Sequence, residues 1–223
     1  MTDLICFEDV TKTYQMGEVV VRALRSVSLA VTEGEFVMIM GPSGSGKSTL
    51  LQILGLLDTP TSGSYKLSGL EVAGISEIER ARVRNRKIGF VFQAFFLLPH
   101  MSLLENVALP LVYRGIGLAE RNRQAQDALA RVGLGDRIDH LPSEISGGQK
   151  QRAAIARALV QEPDVLLADE PTGNLDSVAT DEILAIMDSL HSEGKTLVVV
   201  THENEVGARA ERIIRVRDGR IEA

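Results

Sequence analysis

The sequence predicts an α/β fold with a phosphate-loop core, an N-terminal subdomain of antiparallel β-strands and an inserted α-helical subdomain. The first observation is the segment 41–48, which reads GPSGSGKS and fits the pattern G-x-x-x-x-G-K-[ST]. The second is its context, because the apolar run Phe36–Met40 precedes it and a helix-like stretch, 48–57, follows it. The third is a change of pattern, since helical periodicity fills 94–161 and an apolar run at 165–168 then restores the strand–helix alternation.

The glycine-rich segment has the chemistry of a phosphate cradle. Glycines let the backbone bend so that successive N–H groups point at phosphate oxygens, and the following helix adds the positive end of its dipole. Lys47 would reach the outer phosphates, and the Ser48 hydroxyl would bind Mg²⁺. The predicted ligand is a nucleoside triphosphate, contacted by Gly41, Pro42, Ser43, Gly44, Ser45, Gly46, Lys47 and Ser48. Kinases, GTPases, helicases and transport motors all use such a loop, so other features of the sequence are needed to distinguish these classes.

Composition narrows the classes further. A chain of 223 residues holds one large α/β domain with room for a small lobe, and its net charge of -6 argues against broad attraction to nucleic acid. A basic cluster at 80–87 is interpreted as a solvated face, because acidic residues lie beside it. The single cysteine, Cys6, excludes an intrachain disulfide and a zinc cluster. No run of 18 apolar residues and no signal-peptide pattern occur, so we expect a cytoplasmic protein that does not span a membrane.

Short strands and helices can be placed along the chain. Alternation and apolar runs predict strands at 4–7, 19–24, 27–31, Phe36–Met40, 64–68, Ile88–Phe92, 165–168, 197–200 and 213–216. In the middle, Ser102 and Glu105 form a capping box that starts a helix, and Gly133 and Gly194 are natural helix stops. Residues 1–93 and 162–223 are therefore predicted to form a nucleotide-binding core, and 94–161 a helical subdomain.

Two acids follow the buried strand at 165–168. Ligands of open α/β sheets bind at the carboxyl ends of the strands, where Asp169 and Glu170 emerge. Asp169 would hold Mg²⁺, and Glu170 would orient or deprotonate an attacking water.

A second anion cradle is predicted at 145–149. The sequence Ile-Ser-Gly-Gly-Gln opens an alanine-rich helix, and Ser-Gly-Gly at a helix start presents N–H groups and a hydroxyl. An ordinary helix cap has the same sequence signature. The open question is why one chain carries two phosphate cradles about a hundred residues apart.

Over essentially its whole length, the chain resembles the ATP-binding subunits of ABC transporters. The segment 145–149 is similar to their signature motif, with Ile145 where the family usually has Leu. Gln93, at a strand end, resembles the Q-loop glutamine, and Asn174-Leu175-Asp176 resembles the D-loop. Thr201-His202 resembles the H-loop, followed in this chain by Glu203 where Asp is frequent, and Tyr14 stands where the family has an aromatic that stacks on adenine.

The resemblance implies a mechanism and a partner copy. Two chains would pair head to tail, with each ATP between 41–49 of one copy and Ser146, Gly147, Gly148 and Gln149 of the other. It implies that Glu170, His202 and Lys47 act in catalysis, that Ser48, Gln93 and Asp169 hold Mg²⁺, and that Asp176 ties the two sites together. ATP binding would close the dimer, and hydrolysis would open it.

The segments 97–99 (Leu-Leu-Pro), 104–110 (Leu-Glu-Asn-Val-Ala-Leu-Pro) and 168–176 (Ala-Asp-Glu-Pro-Thr-Gly-Asn-Leu-Asp) resemble the lipoprotein-releasing (LolD) and macrolide-export (MacB) group, with the cell-division FtsE type similar. It implies an integral membrane permease with a large extracytoplasmic domain as partner, with this chain peripheral on the cytoplasmic face of the inner membrane. The apolar segment 95–101 is either core of the helical lobe or part of a groove for a helix of that partner. A soluble ABC-type ATPase and a small-molecule kinase are the alternatives.

Overall fold

The computed structural model describes residues 3–202 and 207–222. The chain divides into two compact units, the first made of residues 1–84 with 194–223 and the second of residues 85–193. The boundaries predicted from the sequence for a helical subdomain, 94–161, remain a prediction.

Ten strands and six α-helices form within the described residues. The strands are β1 Asp3–Met16, β2 Val19–Thr32, β3 Phe36–Met40, β4 Ser62–Leu67, β5 Leu70–Glu71, β6 Ile88–Phe92, β7 Val165–Asp169, β8 Thr196–Val200, β9 Arg212–Arg217 and β10 Arg220–Ile221. The helices are α1 Lys47–Leu54, α2 Glu77–Lys87, α3 Leu103–Tyr113, α4 Leu118–Arg131, α5 Gly147–Leu159 and α6 Ser177–Ser192. Within the part of the chain that is described, no helix is both long and apolar enough to cross a lipid bilayer.

The first unit contains an antiparallel sheet in the order β2-β1-β4-β5. The predicted strand 4–7 is only the start of the fourteen-residue β1, and the two predicted strands at 19–24 and 27–31 are one continuous β2. Ser26 interrupts the pattern of β2 because it takes a left-handed conformation, φ +55°. An irregular register between the two long strands accommodates that turn without ending the pairing.

A parallel layer in the same unit carries the phosphate loop. Strand β3 lies between β8 and β9 and pairs parallel with both. Every residue of β3 and β8 is buried, as expected for strands covered on both faces. The loop after β3 then leads directly into α1, whose apolar side is buried at Leu50, Leu51, Ile53 and Leu54.

The basic cluster is an exposed helix. Residues 80–87 lie in α2, which has no buried residue, so the predicted solvated face is confirmed. Arg84 still has a structural contact, because its guanidinium donates to the Leu56 carbonyl over 2.7 Å.

The second unit combines the parallel pair β6–β7 with helices α3 to α6. Helix α5 packs against β6 and against α3, α4 and α6. The predicted capping box is present at the start of α3, where Ser102 accepts from the Glu105 N–H and Glu105 accepts from the Ser102 N–H. Gly133 follows the end of α4 at φ +71°, the left-handed conformation that ends many helices.

Candidate nucleotide-binding site

The phosphate loop requires glycine at two positions. At Gly41 a Cβ would lie 2.1 Å from the Val216 carbonyl oxygen, and at Gly46 it would lie 2.7 Å from the Ala23 oxygen. Gly46 also has φ +108° and is the residue immediately before α1. Any side chain would therefore displace the backbone that curls around the cradle.

The start of α1 presents backbone donors to a ligand. No side chain caps this helix, so the orphan N–H groups of its first turn are not satisfied in that way. The Lys47 ammonium donates to the carbonyls of Gly41 over 2.8 Å and of Pro42 over 2.9 Å. The loop is thus folded back on its own lysine, which holds a positive charge beside the cradle. Ser43 and Gly44 are exposed at its rim.

Tyr14, the predicted adenine contact, lies on β1 in a polar network. Its hydroxyl donates to Asp58 Oδ2 over 2.7 Å, and Lys12 Nζ donates to Asp58 Oδ1 over 2.6 Å. Sequence reasoning missed Lys12 and Asp58. A signal for Lys12 exists, because it falls on the same buried alternation of β1 as Val10.

The predicted acids lie where the sheet ends. Asp169 is the last residue of β7, and Glu170 follows it with φ +43°, a left-handed conformation rare outside glycine. Both side chains are half-buried.

Gln93 is held by Asn174. The Asn174 Nδ2 donates to the backbone carbonyl of Gln93 over 3.2 Å, and Gln93 Nε2 donates to Asn174 Oδ1 over 3.2 Å. A carbonyl only accepts, so the first bond fixes which end of the Asn174 amide faces Gln93, and the second then fixes the Gln93 amide. The Gln93 side-chain oxygen is thereby turned away from Asn174. Gly173 lies close to this pair, because a Cβ on it would lie 2.7 Å from Gln93 Nε2.

The predicted second cradle begins helix α5 with a complete capping box. Ser146 Oγ accepts from the Gln149 N–H, and Gln149 Oε1 accepts from the Ser146 N–H over 2.9 Å. Ser146 remains exposed, so its hydroxyl proton is available at the surface. Gly148 is packed closely, because a Cβ on it would lie 2.8 Å from the Ala179 Cβ.

The structure places Asp176 at a helix start and His202 at a strand end. The Asp176 carboxylate caps α6 by accepting from the Ala179 N–H over 2.8 Å. His202 is exposed and follows β8, and Glu203 lies outside the described residues. Tyr14, 41–49 and His202 belong to the first unit, whereas Gln93, 146–149, Asp169, Glu170 and Asp176 belong to the second. Their roles in catalysis and binding remain predictions.

The apolar segment 95–101, which we call the apolar hook, is not helical core. Phe96 and Leu98 are 62% and 43% exposed. Phe95 and Phe96 both have left-handed backbones, at φ +60° and +49°, and their carbonyls accept from the Arg157 guanidinium over 2.6 and 2.5 Å. A buried asparagine, Asn106, holds the other end of the hook. Sequence reasoning missed both supporting side chains.

The phosphate-loop core, the antiparallel β-subdomain and the helical region together define the protein class: a P-loop nucleoside triphosphatase. Comparison with known proteins gives the family. The sequence profile of the ABC transporter family matches residues 24–173. Two structures of the ATP-binding cassette MJ0796 are similar to this chain. One is described as the dimeric structure of a bacterial ABC transporter cassette, and the other as a dimer in a post-hydrolysis state with ADP and Pi bound. Both align at TM-score 0.90, with 47% and 46% identity, over 98% of this chain and 97% of theirs.

Sequence relatives agree with the structural comparison. An uncharacterized ABC transporter ATP-binding protein of Thermotoga maritima is 58% identical over 96% of this chain and 92% of its own length. The macrolide export ATP-binding/permease protein MacB of Syntrophobacter fumaroxidans is 53% identical over 99% of this chain, which spans only 31% of that protein. This chain belongs to the ABC transporter family, as an ATP-binding subunit that hydrolyses ATP. The predicted fold class is confirmed.

Proposed function

We propose that two copies of this chain bind ATP between them, each triphosphate held by 41–49 of one copy and 146–149 of the other. The observation that carries the proposal is the pair of cradles at the start of α1 and α5. The first lacks a side-chain cap, and the second has its serine exposed at the surface. The similar cassette MJ0796 is described as dimeric, which supports the pairing.

Mg²⁺ would be held by Ser48, Gln93 and Asp169. The donor set fits this ion, because a hydroxyl, an amide oxygen and a carboxylate are the hard oxygen ligands that Mg²⁺ prefers. The orientation of the Gln93 amide also fits, since its NH₂ group donates to Asn174 and its oxygen is outside that hydrogen bond. When bound, the ion would offset the charge that develops on the phosphates.

The remaining side chains divide the work of hydrolysis. Lys47 would exchange its two carbonyl acceptors for phosphate oxygens. Glu170 would orient and deprotonate the attacking water, and His202 would hold that water beside the γ-phosphate. Tyr14 would stack on the adenine ring, and Asp176 would link the two sites across the dimer.

Replacing Glu170 by Gln tests this arrangement. With ATP and Mg²⁺, the variant should accumulate as a nucleotide-bound dimer in size-exclusion chromatography with light scattering, because binding is intact and hydrolysis is lost. Glu33→Gln, an exposed acid in the turn before β3, is the matched control and should turn over ATP without accumulating dimer. A Glu170→Gln variant that stays monomeric at saturating ATP would contradict the shared site.

We further propose that the dimer drives an integral membrane permease with a large extracytoplasmic domain, of the lipoprotein-release or macrolide-export and peptide-export type. The chain would then sit peripherally on the cytoplasmic face of the inner membrane. Support comes from the MacB relatives, which are described as joint ATP-binding/permease proteins. The apolar hook would be the docking surface, because Phe96 and Leu98 are exposed on a segment whose carbonyls accept hydrogen bonds from Arg157.

Co-purification with the permease tests the docking surface. Phe96→Ser with Leu98→Ser should abolish capture of the detergent-solubilised permease and leave the ATPase activity of the isolated chain intact. Tyr113→Ser, which removes an aromatic side chain that is 77% exposed elsewhere on the second unit, should not affect capture. Equal loss with both changes would show that the hook has no specific role.

A further inference from the structure

The side chain of Tyr14 is fixed at its hydroxyl by a carboxylate with three donors. Asp58 accepts from the Tyr14 hydroxyl, from Lys12 Nζ and, over 2.7 Å, from the N–H of Thr59. Burial, together with the Asp58 carboxylate, raises the pKa of Tyr14, so its hydroxyl stays protonated and keeps donating. Burial alone would raise the pKa of Asp58, but the bonds from Lys12 and Tyr14 lower it below its usual value. The carboxylate is therefore a permanent acceptor at neutral pH.

Lys12 holds the same ring by one face. Its side chain is only 11% exposed, and its Nζ also donates to the Thr59 carbonyl over 2.7 Å. The Nζ lies 4.9 Å from the centroid of the Tyr14 ring, within the range of a cation–π contact. A buried ammonium is costly unless it is paired, so a lysine at this position needs these specific partners. A planar ligand would stack on the face of the ring opposite Lys12.

The network also ties the ring to the helix that follows the phosphate loop. Asp58 comes shortly after the end of α1, and its N–H donates back to the Gln52 carbonyl of that helix over 3.2 Å. The Thr49 side chain, in the first turn of α1, acts on the Tyr14 hydroxyl and by itself lowers the pKa of Tyr14. Helix α1 has eight residues, or about 12 Å at 1.5 Å per residue, with Thr49 near its start and Asp58 joined back to its last turns from beyond its end. The distance from the ring to the cradle is thus set by a rigid element.

We propose that Lys12 and Asp58 are positioning residues that fix the Tyr14 ring at the distance from the phosphate loop at which a nucleotide base stacks on it. The proposal rests on the proposed ATP site and on stacking by Tyr14. The Tyr14 hydroxyl is used to hold the ring, so the tyrosine meets the base through its face alone. Fixing the ring before binding means that its rotational freedom is not lost when the nucleotide arrives.

The size of the effect follows from that freedom. Immobilising one side chain when a ligand binds weakens the affinity by about 3- to 10-fold. If the Tyr14 ring is released, ATP must immobilise it on binding, so we expect a loss of affinity of that size. Loss of the ring itself removes the stacking, which is expected to cost about 10- to 100-fold. Stacking acts equally on bound ATP and on the transition state, so we expect KM to rise and kcat to stay constant.

The test is a double-mutant cycle on the full chain, with ATP affinity and the KM and kcat of hydrolysis as readouts. Tyr14→Phe keeps the ring and removes the hydroxyl, and Asp58→Ala removes the acceptor. Each should weaken ATP binding about 3- to 10-fold, and the double variant should be no weaker than the weaker single variant, because both break the same link. Tyr14→Leu measures the stacking itself, and Tyr113→Phe, on the exposed tyrosine, is the matched control.

The outcomes separate the positioning from the stacking. Suppose that Tyr14→Leu binds ATP weakly, whereas Tyr14→Phe and Asp58→Ala bind ATP with wild-type affinity. That result would overturn the positioning roles and leave the stacking intact. Losses that multiply in the double variant would also overturn it, since the two residues would then act separately. Wild-type affinity in Tyr14→Leu would overturn the stacking and the inference with it. Asp58→Ala leaves Lys12 less well paired, so Tyr14→Phe decides the outcome if that variant unfolds.

Discussion

Replacing Asn106 by Ala should open the apolar hook without unfolding the protein. Asn106 is fully buried, and its amide serves only backbone groups. Its Oδ1 accepts from the Leu98 N–H over 2.7 Å. Its Nδ2 donates to the carbonyls of Leu98, Met101 and Ser102 over 3.1, 2.9 and 3.0 Å. Both ends of the amide are therefore committed to shaping the segment between β6 and α3.

The magnitude follows from these four bonds. Each intramolecular hydrogen bond contributes about 1 kcal/mol net, and two amide protons shared among three acceptors count for less than three full bonds. Water can reach the released groups, because Leu98 is partly exposed. We therefore expect the closed hook to lose about 2–3 kcal/mol, which is about a 30- to 150-fold rise in the rate of opening-limited amide exchange.

Hydrogen exchange with mass spectrometry measures this directly on peptides that cover 94–104. Asn85→Ala is the matched control, because Asn85 also donates to a backbone carbonyl, that of Pro110, but through one bond of 3.1 Å. It should accelerate exchange near its own contact and leave the hook unchanged. Unaltered exchange in the hook of Asn106→Ala, or equal acceleration over the whole second unit, would refute the assignment of Asn106 to local support.

Three further outcomes follow from the first unit. Lys47→Ala should weaken ATP binding by at least about 10-fold, because a charged hydrogen bond to phosphate contributes about 1.5–3 kcal/mol, and unchanged affinity in a nucleotide titration would exclude the phosphate role. Gly46→Ala should lower the free energy of unfolding by about 2 kcal/mol or more, because it adds a close contact to a left-handed backbone; a wild-type Tm would contradict this. Glu35 is half-buried and bound to Arg212; burial would raise the pKa of Glu35, but its hydrogen bonds lower it. The free energy of unfolding of the wild type should therefore exceed that of Glu35→Gln by its full amount above about pH 4.3, the pKa of an unfolded glutamate. The difference should disappear as the pH falls through the lowered pKa of Glu35 in the folded state, and a difference that persists at about pH 2 would argue against this linkage.

Local signals in the sequence are sufficient wherever the structure depends on neighbours in the chain. The capping box at Ser102, the stops at Gly133 and Gly194 and the buried strand β3 all follow from such patterns and are present. The apolar hook differs, because its shape depends on Arg157, which follows Phe96 by 61 positions in the chain. No local pattern marks an arginine for that purpose.

The long strand β2 also shows that local sequence patterns do not predict structure that depends on distant residues. The sequence around Ser26 and Arg25 is polar, which predicts a break between two short strands, yet β2 continues through it. Pairing with β1 on both sides of the irregularity holds the strand together, and a pattern within one segment does not contain that information. The Lys12–Asp58 contact, formed across 46 positions, was missed for the same reason.

The two cradles differ in how their helices are capped, and this difference indicates which cradle binds ATP first. Ser146 already satisfies a backbone donor of α5 with its own oxygen, as Ser102 and Asp176 do for α3 and α6. Helix α1 has no such cap and instead begins at a left-handed glycine. Helix α4 also starts without a side-chain cap, at Gly117, but from an extended backbone that forms no curl. An anion therefore gains more at α1, where no side chain competes for the N–H donors, than at α5, where one donor is already used. ATP should bind the phosphate loop first, and the Ser146 cradle of a second copy should add its contacts only after the nucleotide is in place.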